Sequence, residues 1–237
     1  MDIKVFDSSE AVLRSLAEDL LLYSQQSESV HISLSGGSTP KSLFNYIVAS
    51  HYAKKIQWQN LHFWWGDERC VSPTDEQSNF GVAKDLLFQH ITIPMSNLHR
   101  IRGENDPVES CQGFVNEMRS SIRILNGRPQ FDWVLLGVGD DGHTASLFPG
   151  QTDYTSPYDA IVAKQAHTGQ LRISMTAPVI QCAKRVTFLV LGASKASIVR
   201  EVVAKEGHWQ DYPAANIQTE QGVTQWYIDR LAASKLS

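Results

Sequence analysis

Phe131-Asp132-Trp133-Val134-Leu135-Leu136-Gly137-Val138-Gly139-Asp140-Asp141-Gly142-His143-Thr144-Ala145-Ser146-Leu147-Phe148-Pro149-Gly150 is the stretch from which the fold is read. Its opening residues are almost continuously apolar. That pattern fits a strand covered on both faces, as in a parallel sheet, better than the strict alternation of a half-solvated antiparallel strand. Gly137, Gly139 and Gly142 then come in quick succession. They let the chain turn sharply and present Asp140, Asp141 and His143 just beyond the carboxyl end of the strand.

Working outward, the same arrangement recurs. Val30–Ser35 reads as a strand ending in Gly36-Gly37-Ser38, and His62–Trp65 as one ending in Gly66-Asp67-Glu68-Arg69. Arg185–Leu191 reads as a strand ending in Gly192-Ala193-Ser194-Lys195. Amphipathic segments lie between: residues 9–23, with Val12, Leu13, Leu16, Leu20 and Tyr23 on one face behind a Ser8/Ser9 cap, then 41–53, 79–90, 108–125 and 195–206. Asn79 and Asp106-Pro107 supply helix starts. Strands alternating with helices through short connectors predict right-handed crossovers. The expected fold is α/β, a three-layer α/β/α sandwich on an open, mostly parallel sheet, with a ligand crevice at the carboxyl ends of the strands. Residues 149–172 carry the weakest periodicity and read as an excursion or small subdomain. No repeat or linker divides the chain, so one domain over 1–237 is expected.

Composition narrows the function classes. The 237 residues are 42% hydrophobic and 19% charged, and 15 glycines and 9 prolines are too few for a low-complexity chain. The net charge of −4 gives no broad electrostatic case for nucleic acid or an anionic membrane, although a local cationic pocket for a small anion is compatible with it. Cys70, Cys111 and Cys182 are widely spaced and odd in number, so reduced thiols are expected, with neither a disulfide framework nor a zinc-finger spacing. The opening Met1–Leu13 is acidic and does not read as a signal peptide, and no apolar run of ~18 residues is present. These features place the chain in the cytoplasm, with no membrane, nucleic-acid or obligate protein partner expected.

Each strand-end loop offers chemistry. In Ser35-Gly36-Gly37-Ser38-Thr39-Pro40-Lys41, small residues admit an anion to the backbone amides at a helix start, Ser38 and Thr39 add hydroxyls, and Pro40 suits the first helical turn. The loop is neither a Walker A motif nor GxGxxG, so nucleotide binding gains no support; a capped strand–helix turn is the plain alternative. Gly66–Arg69 puts two acids and a base on one loop, which by itself reads more readily as a solvated charged turn than as a site. The strongly apolar Phe63-Trp64-Trp65 before it suggests the wall of a ligand site. His143 is the natural general base, with Asp141 placed to orient it; the other seven histidines read as structural or surface residues. Ser146 lies outside any GxSxG elbow, and no HExxH or HxxxH supports a metal. Arg172 and Lys195 are isolated cations. Lys195 opens a helix, where the dipole disfavours positive charge, which hints at an anion.

SGGSTP (35–40), WGDERCV (65–71), SNFG (78–81), GVGDDGHTASLFPG (137–150), RISMT (172–176) and GASK (192–195), in this order, resemble the 6-phosphogluconolactonase family, within the wider group that includes glucosamine-6-phosphate isomerase/deaminase. The similarity runs from about residue 10 to Trp226…Asp229, and the GxGxDGHTASLFP pattern is its most specific part. The resemblance implies hydrolysis of 6-phospho-D-glucono-1,5-lactone to 6-phospho-D-gluconate, the second step of the oxidative pentose phosphate pathway, without metal or cofactor. It further implies that Gly36, Gly37, Ser38 and Thr39 hold the phosphate with Arg172 and Lys195. His143 would activate water, Arg69 would face the developing oxyanion or the sugar, and Asp67 and Asp141 would position substrate hydroxyls or the histidine. The family's deaminases continue the turn as HIAFNEP, whose glutamate supports the histidine in ring opening; here Phe148 stands at that place, and Asp67-Glu68-Arg69 replaces a deaminase-like DEY. The chain differs from the usual lactonase pattern in lacking prolines before Arg172, where it has His167-Thr168-Gly169-Gln170-Leu171, and in carrying Ser174 for threonine. A third reading, a sugar-phosphate sensor, would keep the phosphate loop without needing His143, but residues 1–30 show no basic helix-turn-helix.

Overall fold

The computed structural model describes residues 1–166 and 168–236. In chain order the elements are β1 (Asp2–Phe6), α1 (Ser9–Ser24), β2 (Val30–Leu34), α2 (Ser38–Ala49), α3 (Tyr52–Lys55), β3 (Leu61–Trp65), β4 (Asp67–Arg69), α4 (Asn79–Leu86), β5 (Leu98–His99) and α5 (Pro107–Ser121). Next come a short hairpin of β6 (Ile124–Leu125) and β7 (Arg128–Pro129), then β8 (Trp133–Leu136), β9 (Ala160–Lys164), β10 (Leu171–Met175), α6 (Ala177–Gln181), β11 (Arg185–Val190), α7 (Ala196–Ala204), α8 (Pro213–Asn216) and β12 (Val223–Asp229).

Seven strands form one sheet in the order β1-β12-β11-β8-β2-β3-β5, and every pairing in it is parallel. The central strands are buried on both faces, as their continuous hydrophobicity requires: all four residues of β8 are buried, as are five of the six in β11. From β2 the chain steps one way across the sheet to β3 and β5, and from β8 it steps the other way to β11 and β12. With right-handed crossovers, this reversal puts the helices of the two runs on opposite faces. The reversal falls between the neighbours β2 and β8, which pair through Ile32 with Trp133 and Ser33 with Val134. Trp64, Trp65, Trp133 and Trp226 are among the largest fully buried side chains of the core.

Helix starts obey local chemistry. Ser8 accepts from the Ala11 amide, Ser78 from that of Gly81, and Asp106 from those of Val108 and Glu109 ahead of Pro107. Several boundaries differ from the sequence reading. The predicted 41–53 helix begins at Ser38 and breaks at Ser50, and the 79–90 segment tightens into a 3-10 turn after Leu86. Lys195 closes a 3-10 turn (Ala193–Lys195) immediately before α7. Gly66–Arg69 is not a loop: Asp67–Arg69 is strand β4, at one edge of a separate three-stranded antiparallel sheet ordered β4-β10-β9. The weakly periodic 149–172 stretch supplies β9 and leads into β10. The edge strands β1 and β5 escape period-based reading because their exposure is mixed or their length is two residues. His167, one of the seven histidines read as structural or surface, lies outside the described residues.

Candidate functional site

The carboxyl ends of β2 and β8 diverge at the reversal of strand order, where an open parallel sheet leaves a crevice. A cavity of about 230 Å³ occupies it. Its walls bring together Gly36, Gly37, Ser38, Thr39, Asp67, Arg69, His143, Arg172 and Lys195. Asp141 stands behind His143 instead of lining the cavity.

The first wall is the loop from β2 into α2. Gly37 caps the helix at φ +104°, a conformation open to glycine and strained for any other residue. Gly36 is required for a different reason: a Cβ there would lie 1.9 Å from Asn79 Oδ1. The loop therefore rests directly on the start of α4. No side chain caps α2, so its first amides face the crevice without an internal acceptor. Such a terminus can bind an anion.

The second wall is the glycine turn after β8. It closes on itself: the Gly139 amide donates to the His143 carbonyl (2.9 Å) and Thr144 Oγ1 to the Gly137 carbonyl (2.8 Å). His143 Nδ1 lies 2.5 Å from Asp141 Oδ1, and the same carboxylate accepts from the His143 amide at 3.2 Å. Burial pushes the Asp141 carboxyl up, but the hydrogen bond and charge of His143 outweigh it and hold the group below the usual carboxylate range. An imidazole that donates through Nδ1 keeps the Nε2 lone pair for another proton. The ring also meets Phe148, centroid to centroid 5.3 Å. Ala145, just beyond, adopts φ +49°, a strained turn that carries Ser146 inward.

β4 and β10 make the third wall. Their register pairs Arg69 with Arg172 and Asp67 with Ser174. Side chains alternate across a strand, so Asp67 and Arg69 face the crevice side with their partners while Glu68 points away. Two arginines directly opposite one another repel, an arrangement that an anion between them would relieve. Burial lowers the Arg172 pKa; Asp67 opposes that and Arg69 adds to it. The Asp67 carboxylate accepts from Ser146 Oγ (2.6 Å) and from Asn79 Nδ2 (3.3 Å), with Arg172 at 3.9 Å. Its partners are thus Ser146, Asn79 and Arg172, while Asp141 is the carboxylate at His143. Arg69 donates from Nη1 to the Gln77 carbonyl (2.6 Å).

Lys195 closes the fourth side, after β11. Its Nζ lies 2.5 Å from Asp140 Oδ1.

Sequence reasoning passed over three supports. Glu68, almost wholly buried, accepts the amides of Arg69, Asn79 and Phe80, each at 2.8 Å, and the Ser78 hydroxyl at 3.1 Å. Burial raises its pKa and the three amides oppose that. Asn79 Nδ2 also reaches the Asp67 carbonyl (2.9 Å), linking β4 to the glycine loop. Tyr212 lies against Gly142, where a Cβ would come within 2.4 Å of its ring. Glu68 was hidden because the segment reads as a charged turn, and nothing local announced Tyr212. Among the described residues, no cluster of three or more His, Cys, Asp or Glu side chains is arranged to hold a metal ion, and no helix is long and apolar enough to cross a membrane.

With this geometry in view, comparison with known proteins is specific. The family model described as glucosamine-6-phosphate isomerases/6-phosphogluconolactonase matches residues 7–226. The chain belongs to that family. Within it, the chain is 49% identical over 231 residues to a 6-phosphogluconolactonase of Haemophilus influenzae, covering 98% of each protein. It is 48% identical over 236 residues to a 6-phosphogluconolactonase of Aggregatibacter actinomycetemcomitans, covering all of both. A crystal structure of a devB protein superimposes with a TM-score of 0.97 at 54% identity, over 100% of this chain and 99% of that one. The α/β architecture is therefore shared with these relatives.

Proposed function

We propose that this chain hydrolyses 6-phospho-D-glucono-1,5-lactone to 6-phospho-D-gluconate, the second step of the oxidative pentose phosphate pathway, as one catalytic unit spanning residues 1–237. The single observation that carries the reading is the setting of His143: Nδ1 is held by Asp141, and the ring packs against Phe148, where a deaminase-like chain would carry a glutamate. That is a base for activating water, and it lacks the extra acid–base group that amino-sugar ring opening and deamination call for. The full-length relatives at 48–49% identity carry the lactonase name and support the same choice.

In this reading the phosphate rests on the amides and hydroxyls of Gly36–Thr39, with Arg172 and Lys195 supplying positive charge. Anchoring at this remote group orients the lactone ring. His143 Nε2 takes a proton from water as the oxygen bonds to the lactone carbonyl carbon. Arg69 stabilises the resulting oxyanion. Collapse breaks the bond to the ring oxygen, which receives the proton back from His143, and the new carboxylic acid ionises. Asp141 keeps the imidazole in the reactive tautomer, and Asp67 holds Ser146 and Arg172 in place. No covalent nucleophile takes part.

The deciding experiment measures turnover of freshly generated lactone, above its spontaneous hydrolysis, beside ammonia release from glucosamine 6-phosphate. Lactone turnover without ammonia is expected; ammonia release without lactone turnover overturns the assignment.

A further inference from the structure

Asp140 is the acidic residue of the glycine turn to which the proposed reaction assigns no task, and its neighbour in the sequence, Asp141, points to His143 instead. Its side chain is 85% exposed, yet Oδ1 sits 2.5 Å from Lys195 Nζ, whose side chain is only 25% exposed and lines the crevice. Asp140 itself is not part of the crevice wall. It reaches over the rim to the one lysine in that wall. Among the described residues this carboxylate is the only side-chain partner of Lys195 Nζ.

An ammonium has three donors, so it can in principle hold two acceptors at once. Charge argues against that. A carboxylate in contact with Nζ lies close to any phosphate on the same Nζ, and two like charges that near repel. We propose that Asp140 is an affinity-determining residue, an internal competitor that occupies Lys195 and must give it up before a phosphate group is fully held. The proposal rests on the phosphate reading of the crevice.

The consequence is a uniform weakening. Every ligand that uses Lys195 binds less tightly by the fraction of time the ammonium is free. An ion pair this exposed at one end weakens binding only about two- to fivefold. A sugar phosphate with further contacts in the crevice remains bound despite that. Inorganic phosphate, which lacks them, binds more weakly by the same factor, and the phosphorylated product leaves more readily.

Titration of the full-length chain with inorganic phosphate, monitored by NMR, tests this in four proteins: wild type, Asp140→Asn, Lys195→Ala and the double variant. Asp140→Asn is expected to bind phosphate about two- to fivefold more tightly, and Lys195→Ala more weakly than wild type. The double variant should match Lys195→Ala, because with the lysine gone there is nothing to compete for. General structural damage would loosen binding, so a gain is not explained by misfolding. No gain in Asp140→Asn, or an equal gain in the Lys195→Ala background, overturns the proposal while leaving the phosphate site standing. Unchanged binding in Lys195→Ala overturns both. The KM of Asp140→Asn for lactone should fall by the same factor as its phosphate dissociation constant.

Discussion

At the scale of single residues, the turn that carries His143 is defined as much by missing side chains as by present ones. A Cβ on Gly139 would lie 2.1 Å from His143 Nδ1 and 2.7 Å from Asp141 Oδ1, so the imidazole–carboxylate contact exists only because that position is glycine. The glycines, the histidine and the aspartate were all legible in the sequence, because a sharp turn after a buried strand needs small residues and exposes the side chains beyond them. Their geometry was not: Asp141 was placed in the sequence to orient the histidine, but only the fold sets its carboxylate on Nδ1 and puts Asp67 on Ser146. His143→Ala is expected to lose at least ~10² in kcat with KM within about threefold. Asp141→Asn should lose less, since the imidazole remains but its Nδ1 partner becomes neutral. Steady-state kinetics on fresh lactone checks both, and a near-normal kcat in His143→Ala removes it from the base role.

At the scale of elements, the three residues of β4 do three different jobs through simple alternation. Asp67 and Arg69 face the crevice while Glu68 turns back to the start of α4, where three amides and a hydroxyl converge on one carboxylate. The carboxylate both satisfies orphan donors and meets the positive end of the helix dipole. A segment so short reads from sequence as a charged turn, because period-two alternation needs more residues to declare itself. Its partner β10 lies more than a hundred positions away. Glu68→Ala leaves those buried donors unpaired and should destabilise the chain by about 2–4 kcal/mol, with Glu68→Gln recovering part of the loss. Urea unfolding of the two variants measures it; a Glu68→Ala midpoint equal to wild type would show that water or a neighbour replaces the carboxylate.

At the scale of the whole molecule, the parallel sheet does two things at once. At its carboxyl edge it separates the β2 and β8 loops and creates the crevice. Within the sheet it stacks His31, His62 and His99 from β2, β3 and β5: His62 Nδ1 lies 3.0 Å from His99 Nε2, and Trp64 Nε1 donates to His31 Nδ1 at 3.1 Å. Burial and the charge of His62 push the His31 pKa down to about 4, against a partial upward pull from Asp132, and burial lowers His62 as well. The unfolded chain then binds more protons than the folded one between about pH 6.5 and pH 4, so stability falls as the pH drops through that window, by at most about 1.4 kcal/mol per pH unit for His31. His31→Gln, which keeps an acceptor for Trp64, should show a shallower loss of Tm than wild type between pH 7 and pH 4; parallel curves would acquit the cluster. The sequence by itself determined the α/β class, three of the four strand-end loops and the histidine proposed as the base, because buried strands, glycine turns and helix starts are local patterns. Only the tertiary structure decided that β2 and β8 are neighbours, that Arg69 faces Arg172 across two strands, and that Asp140 holds Lys195. Those contacts join distant parts of the chain, and the strand order that creates them is set by packing of the whole sheet, which no local pattern encodes.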